Sequence, residues 1–143
     1  VLTMFLALNA SVELYKGGVV PLAEYAQRPY DRDILVRVLV PKENARFVYQ
    51  SVRNSQTDFP VLTCAAAKLA DGSIRAAIGA RPGKAVLYTA APEAGETAEE
   101  FAARFAAEVK AGIKTESNLR GSAEYRRHLA GVLTKRAVCR LEG

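Results

Sequence analysis

Hydrophobic and polar positions change period part-way along the chain. Up to about residue 90 the apolar residues alternate or run in short β-branched blocks, and after Pro92 they recur every three or four positions. In "ASVELY" Val12 and Leu14 alternate with polar neighbours, "KGG" supplies a turn and "VVPL" resumes, which predicts a hairpin. "YAQRPYDRD" reads as a loop, and "ILVRVLV" as a strand stopped by Pro41. "RFVYQSVR" predicts a strand with Phe47, Tyr49 and Ser51 on one side and Val48 and Val52 on the other, followed by the polar loop "NSQTDFP". "VLTCAAAKLADGSIRAAIGA" makes two apolar strands joined at Asp71-Gly72, a strong hairpin dipeptide, and "KAVLYTAA" adds a further short strand.

Two helices follow. In "GETAEEFAARFAAEVKAGI" Thr97 can cap, Glu99 and Glu100 favour the first turn, and Ala98, Phe101, Ala102, Phe105 and Val109 form a stripe ended by Gly112. In "NLRGSAEYRRHLAGVLTKRA" Ser122 is the cap. Tyr125, Leu129, Val132, Leu133 and Ala137 make the expected core stripe, with Arg127, Thr134 and Lys135 on the wet side and Arg126, Arg127 and His128 as a rim. Strands first and helices after predict an α+β fold with an antiparallel sheet.

Composition narrows the class. Half of the 143 residues are hydrophobic, enough for a core, and 24% are charged. The apolar run Met4 to Leu8 is too short to cross a bilayer and has no basic lead-in or cleavage site, so neither a membrane span nor a signal peptide is expected. Val1 opens inside an apolar pattern, which reads as a piece of a longer polypeptide. Of the net charge of +5, residues 118 to 143 carry +4. That end is either a solvated helix face or a surface for nucleic acid or an acidic protein partner. Cys64 and Cys139 sit in apolar patterns and are expected as buried free thiols, and with one histidine they cannot build a zinc or iron–sulfur site.

The residues taken alone assign no catalytic group. His128 has no nucleophile elbow to serve. "GARPGK" is one residue short of a phosphate loop, with Ala85 where a magnesium-binding hydroxyl would stand. Asp31, Asp33, Asp58 and Asp71 are scattered over loops and strand ends, and no spacing pairs two carboxylates for acid–base work.

Read in order, several segments resemble one family. "LALNASVELYKGGVVPLAEY" followed by "YDRDILVRVLVP" is similar to the end of the FAD-binding domain in flavoprotein subunits of molybdenum hydroxylases, the family of xanthine and carbon monoxide dehydrogenases. "FVYQSVRNSQTDFPVLTCAAAK" resembles its strand–Arg–loop–Asp–strand segment, with Arg53 and Asp58 in the matching positions. "SNLRGSAEYRRHLAGVLTKRA" resembles its closing "D-x-R-x-S-x-E-Y-R-R" helix, with Asn118 where an Asp is usual. The resemblance implies the end of the FAD-binding domain at residues 1–41 and the subunit's C-terminal domain at 42–143, an antiparallel sheet of about three strands packed on helices. It implies FAD as cofactor, with its phosphate loops upstream of Val1, and flavin contacts at Leu35 and at Tyr49, which stands where xanthine dehydrogenases carry a Lys. It further implies a molybdopterin-binding large subunit and a [2Fe–2S] small subunit as partners, electron transfer to an acceptor such as NAD, and a cytoplasmic complex. The alternative is a stand-alone basic α+β domain that binds nucleic acid or an acidic protein.

Overall fold

The computed structural model describes residues 1–30, 32–42 and 46–143; Asp31 lies outside them. A short helix α1 (Leu2–Ala7) leads into the hairpin β1 (Ser11–Leu14) and β2 (Gly18–Pro21), a one-turn helix α2 (Leu22–Tyr25) and strand β3 (Leu35–Leu39). These strands form an antiparallel sheet in the order β2-β1-β3. Strands β4 (Arg46–Val52), β5 (Leu62–Lys68), β6 (Ile74–Gly79) and β7 (Val86–Ala90) form a second antiparallel sheet in simple meander order, followed by α3 (Ala98–Gly112) and α4 (Ala123–Glu142). The α+β class is as expected. The second sheet has one strand more than about three, because 86–90 pairs with β6 along five positions.

The second sheet is covered on both faces, which is why β5 and β6 are apolar almost throughout. Leu62, Cys64, Ala66, Ile74, Ala76 and Ile78 face α3 and α4, where they meet Phe101, Phe105, Val109, Leu133 and Val138. Phe101 and Phe105 stack with ring centroids 5.9 Å apart, and burying each aromatic ring contributes about 2–3 kcal/mol. The opposite face offers Ala65 and Ala77 to α1 and to the inner side of the first sheet, including Leu6, Val12, Leu14 and Val20. Small residues here let α1 approach closely. A Cβ on Gly79 would lie 2.3 Å from Thr3 Oγ1 and 2.8 Å from Thr63 Oγ1, two hydroxyls that are themselves 3.2 Å apart.

The local signals act as read. Thr97 and Glu100 form a reciprocal capping box at α3, and Ser122 Oγ accepts from the Tyr125 N–H at α4. Gly72 adopts φ +84°, and Asp71 Oδ1 accepts from the Ser73 N–H at 2.9 Å, closing the β5–β6 turn. In β4, Val48 and Val52 face the helices and Phe47 the other core, the alternation expected.

The stripe of α4 is rotated from the expected one. Its buried line runs Arg126, Leu129, Ala130, Leu133, Thr134, Ala137, Val138, Leu141. Tyr125 is 46% exposed rather than core. Thr134 is buried rather than wet, because its hydroxyl donates to the Ala130 carbonyl at 2.8 Å and so needs no water. Cys64 is buried as expected, but Cys139 is exposed because the buried line passes through its neighbour Val138. Polar contacts also tie α4 to the sheet: Lys68 Nζ donates to Glu142 Oε2 at 2.6 Å, Arg46 Nη1 to the Leu141 carbonyl at 2.9 Å and Gln50 Nε2 to the Leu133 carbonyl at 3.4 Å.

Candidate functional site

Leu35 owes its direction to an irregularity in the first sheet. Val12 pairs with Val38 and Glu13 with Arg37, but Leu14 pairs with Leu35, so a bulge falls between Leu35 and Arg37. A bulge re-aims the side chains beyond it. Leu35 and Val38, opposite the inward Val12 and Leu14, therefore share the inner face although they are three positions apart. They line an open cleft of about 590 Å³ with Phe5, Leu22, Tyr25 and Tyr30, whose charged members are Arg28 and Lys84.

Tyr49, on β4, lines a second cleft of about 320 Å³ with Arg53, Thr63, Gly79 and Lys84. Val1, Leu2 and Lys84 belong to both clefts, so the structure brings the two resemblance-derived residues to neighbouring walls around the start of α1. Leu35 is 44% and Tyr49 39% exposed, so both present surface to a ligand. Lys84 Nζ donates to the Arg28 carbonyl at 3.2 Å, linking the β6–β7 turn to the segment after α2. The first cleft is walled mainly by aliphatic and aromatic side chains, a lining that suits an apolar planar ring.

Below Tyr49 the loop 53–59 is clasped rather than loose. Arg53 Nη1 donates to the Asp58 carbonyl, and Arg120 forks onto the Asp58 carboxylate, Nη2 to Oδ1 at 2.7 Å and Nε to Oδ1 at 3.0 Å. The Arg120 guanidinium beside Asp58, followed by the Phe59 N–H, holds this carboxyl below its usual range. Arg53 and Asp58 are thus joined through the Asp58 backbone, while Arg120 takes the carboxylate.

Arg126 is the residue whose role the sequence reading placed least well. It is 1% exposed, not a rim residue, although it does hold a loop. Its Nε donates to the Val61 carbonyl at 2.9 Å, Nη1 to the carbonyls of Glu116 and Gly121, and Nη2 to Asn118 Oδ1 at 2.5 Å. Burial pushes its pKa down, with Arg120 adding repulsion. Its helical spacing to Ala130, Leu133 and Ala137 is the available signal; its donors end on Val61, 65 residues away, and on the turn 116–121 just before the helix. His128 lines a shallow groove between α3 and α4 with Lys110 and Lys135, and meets no nucleophile there. Among the described residues no group of three or more His, Cys, Asp or Glu could hold a metal, and no helix is long and apolar enough to cross a membrane.

The family model of the CO dehydrogenase flavoprotein C-terminal domain matches residues 47–141. The chain belongs to this family. The CO dehydrogenase flavoprotein C-terminal domain accordingly accounts for the second sheet and both long helices. Comparison with curated proteins finds no match. Among solved structures, quinoline 2-oxidoreductase from Pseudomonas putida 86 aligns with TM-score 0.78 at 21% identity, over 99% of this chain and 55% of that one. Carbon monoxide dehydrogenase from Hydrogenophaga pseudoflava aligns with TM-score 0.78 at 22% identity, over 98% and 55%. Reconstituted CO dehydrogenase from Oligotropha carboxidovorans gives TM-score 0.75 at 20% identity, over 99% and 55%. The chain thus spans little more than half of these relatives' length. At such identities they share its fold, including the first sheet that precedes the family match.

Proposed function

We propose that the chain forms the end of the FAD-binding domain, residues 1–41, and the C-terminal domain, residues 42–143, of the flavin subunit of a molybdenum-dependent hydroxylase or dehydrogenase. The match of residues 47–141 to the flavoprotein family carries this reading. The fold likeness, which runs through the first 46 residues as well, supports it.

In this reading Leu35 and Tyr49 contact the flavin. Leu35, turned inward by the bulge, offers an apolar wall against which a ring packs and from which water is excluded. Tyr49 presents a half-exposed ring and hydroxyl to the neighbouring cleft, and Arg53 and Lys84 make that cleft cationic, suited to a polar ring edge. When bound, FAD would relay electrons between the [2Fe–2S] and molybdopterin centres of partner subunits and an acceptor such as NAD. We place the complex in the cytoplasm. Family membership leaves the stand-alone basic domain without an observation of its own.

The test is flavin absorbance and fluorescence of the complete subunit, wild type and Leu35→Asp or Tyr49→Phe. The reading expects bound FAD in the wild type, at least tenfold weaker FAD binding in Leu35→Asp, and a shifted flavin spectrum in Tyr49→Phe. A wild-type subunit that takes up no FAD overturns the assignment. Variants with unchanged flavin affinity and spectrum overturn the two site residues.

A further inference from the structure

"GARPGK", Gly79 to Lys84, is one residue short of a phosphate loop, and its folded shape has another use. Ala80 takes φ +59° and Gly83 φ +122°, so the chain turns sharply between β6 and β7. Arg81 staples this turn. Its Nε donates to the Lys84 carbonyl at 2.7 Å and its Nη1 to the Lys114 carbonyl at 2.6 Å, while its own carbonyl accepts from the Glu116 N–H at 3.0 Å. The backbone of Lys84 is thereby fixed to the connection between α3 and α4. Its side chain reaches the segment after α2, where Nζ donates to the Arg28 carbonyl at 3.2 Å.

Three residues, Val1, Leu2 and Lys84, line both the Leu35 cleft and the Tyr49 cleft, and of these only Lys84 has a polar side chain. Among the described residues no Asp or Glu lines either cleft. The other cations there are already engaged: Arg28 pairs with Glu24 at 2.5 Å, and Arg53 donates to the Asp58 carbonyl. An ammonium has three N–H donors, and the bond Lys84 makes is to a neutral carbonyl. Among the described residues its charge therefore has no carboxylate to balance it. An oxidised isoalloxazine ring is neutral, and it gains one net negative charge on taking up two electrons and one proton. A ring packed on Leu35, with its polar edge towards Tyr49, meets the ammonium where the two clefts join, and seating the ring excludes the water that would screen the charge. We infer that Lys84 sets the charge balance of the flavin site, stabilising the negative charge that the ring gains on reduction and so raising its affinity for electrons. The electrons come from the [2Fe–2S] partner and the proton from water; Lys84 gives up none. The inference rests on the flavin reading of Leu35 and Tyr49 and adds to it the residue that tunes the ring.

The experiment reduces the complete, FAD-loaded flavin subunit with dithionite against a reference dye of known potential, and follows urea unfolding of each variant. Lys84→Gln keeps an N–H for the Arg28 carbonyl and removes the charge, whereas Lys84→Arg keeps both. Lys84→Gln is expected to shift the equilibrium at least tenfold towards the oxidised ring, which for a two-electron couple lowers the midpoint potential by about 30 mV. Its unfolding midpoint should stay close to wild type, and Lys84→Arg should stay close to wild type in both measurements. A Lys84→Gln subunit with the wild-type potential overturns the inference and leaves the flavin reading standing. A shift that Lys84→Arg shares also overturns it, because shape and not charge is then what the ring senses. A Lys84→Gln subunit that fails to fold makes the lysine a structural tether and overturns the inference as well. A wild-type subunit that takes up no FAD overturns the flavin reading, and the role of Lys84 with it.

Discussion

Replacing Arg126 by Met keeps a long apolar stem in the core and removes the guanidinium. Four acceptors lose a bond: the carbonyls of Val61 and Glu116, and the Gly121 carbonyl and Asn118 Oδ1, which each keep a backbone N–H donor. The Val61 bond is fully buried, and an orphaned buried acceptor costs about 1–3 kcal/mol. The other three acceptors are part-buried and recover some water, so each lost bond costs about 0.5–1 kcal/mol. Relief from desolvating the cation offsets part of this sum. The net expectation for Arg126→Met is a loss of about 2–4 kcal/mol, or a Tm lower by roughly 6–16 °C at this size. Asn118→Asp should act in the opposite direction. It puts a carboxylate against the same guanidinium, keeps the oxygen that the Arg120 N–H uses, and should stabilise by about 0.5–1.5 kcal/mol near neutral pH. Urea unfolding of wild type, both single variants and the double variant measures both values and their coupling. A loss below about 1 kcal/mol for Arg126→Met, or a destabilised Asn118→Asp, refutes the account of Arg126 as a buried cation neutralised by carbonyls.

Three further expectations follow from other parts of the structure. Gly79→Ala drives a methyl into the Thr3 and Thr63 hydroxyls and should cost about 1–3 kcal/mol, measured by denaturant unfolding; an unchanged midpoint would mean that α1 shifts freely. Native protein should show one thiol that reacts rapidly with a disulfide reagent, the exposed Cys139, while Cys64, buried and pushed up to about 12, reacts only on unfolding. Glu96 is held at about 2, chiefly by the Arg104 guanidinium, which donates to both its oxygens at 2.8 Å. Its contribution is therefore complete above the unfolded carboxylate value of 4.5 and is lost as pH falls from there towards about 2, so Glu96→Gln should flatten the acid limb of thermal stability over that window.

Much of the fold was legible because its signals are local. The Asp71-Gly72 turn, the Thr97 and Ser122 caps, the alternation in 46–52 and the change of period after Pro92 act over a few residues and do not depend on what packs against them. The order of motifs along the chain is itself a family signature, because motif order is a property of the sequence alone. The residues that depart from the expected faces depend on polar partners that a hydropathy pattern does not show. Tyr125 looks apolar and Arg126 polar, but which of two adjacent helix positions faces the sheet is decided by the acceptors waiting there, at 61, 116, 118 and 121. Thr134 has the hydropathy of a wet position, and the helix carbonyl that satisfies it in the core is invisible in such a pattern.

The candidate site divides in the same way. The sequence by itself named Leu35 and Tyr49 through motif resemblance, and Arg53 and Asp58 as a matched pair. Only the tertiary structure turned Leu35 inward through a bulge, set it beside the cleft of Tyr49 around the start of α1, and gave the Asp58 carboxylate to Arg120, 62 residues away. Sequence pattern fixes period, caps and turns because these are properties of neighbouring residues. Strand register, helix rotation and the choice among competing polar partners are settled by packing across the sheet, where each donor takes the acceptor that burial brings within reach.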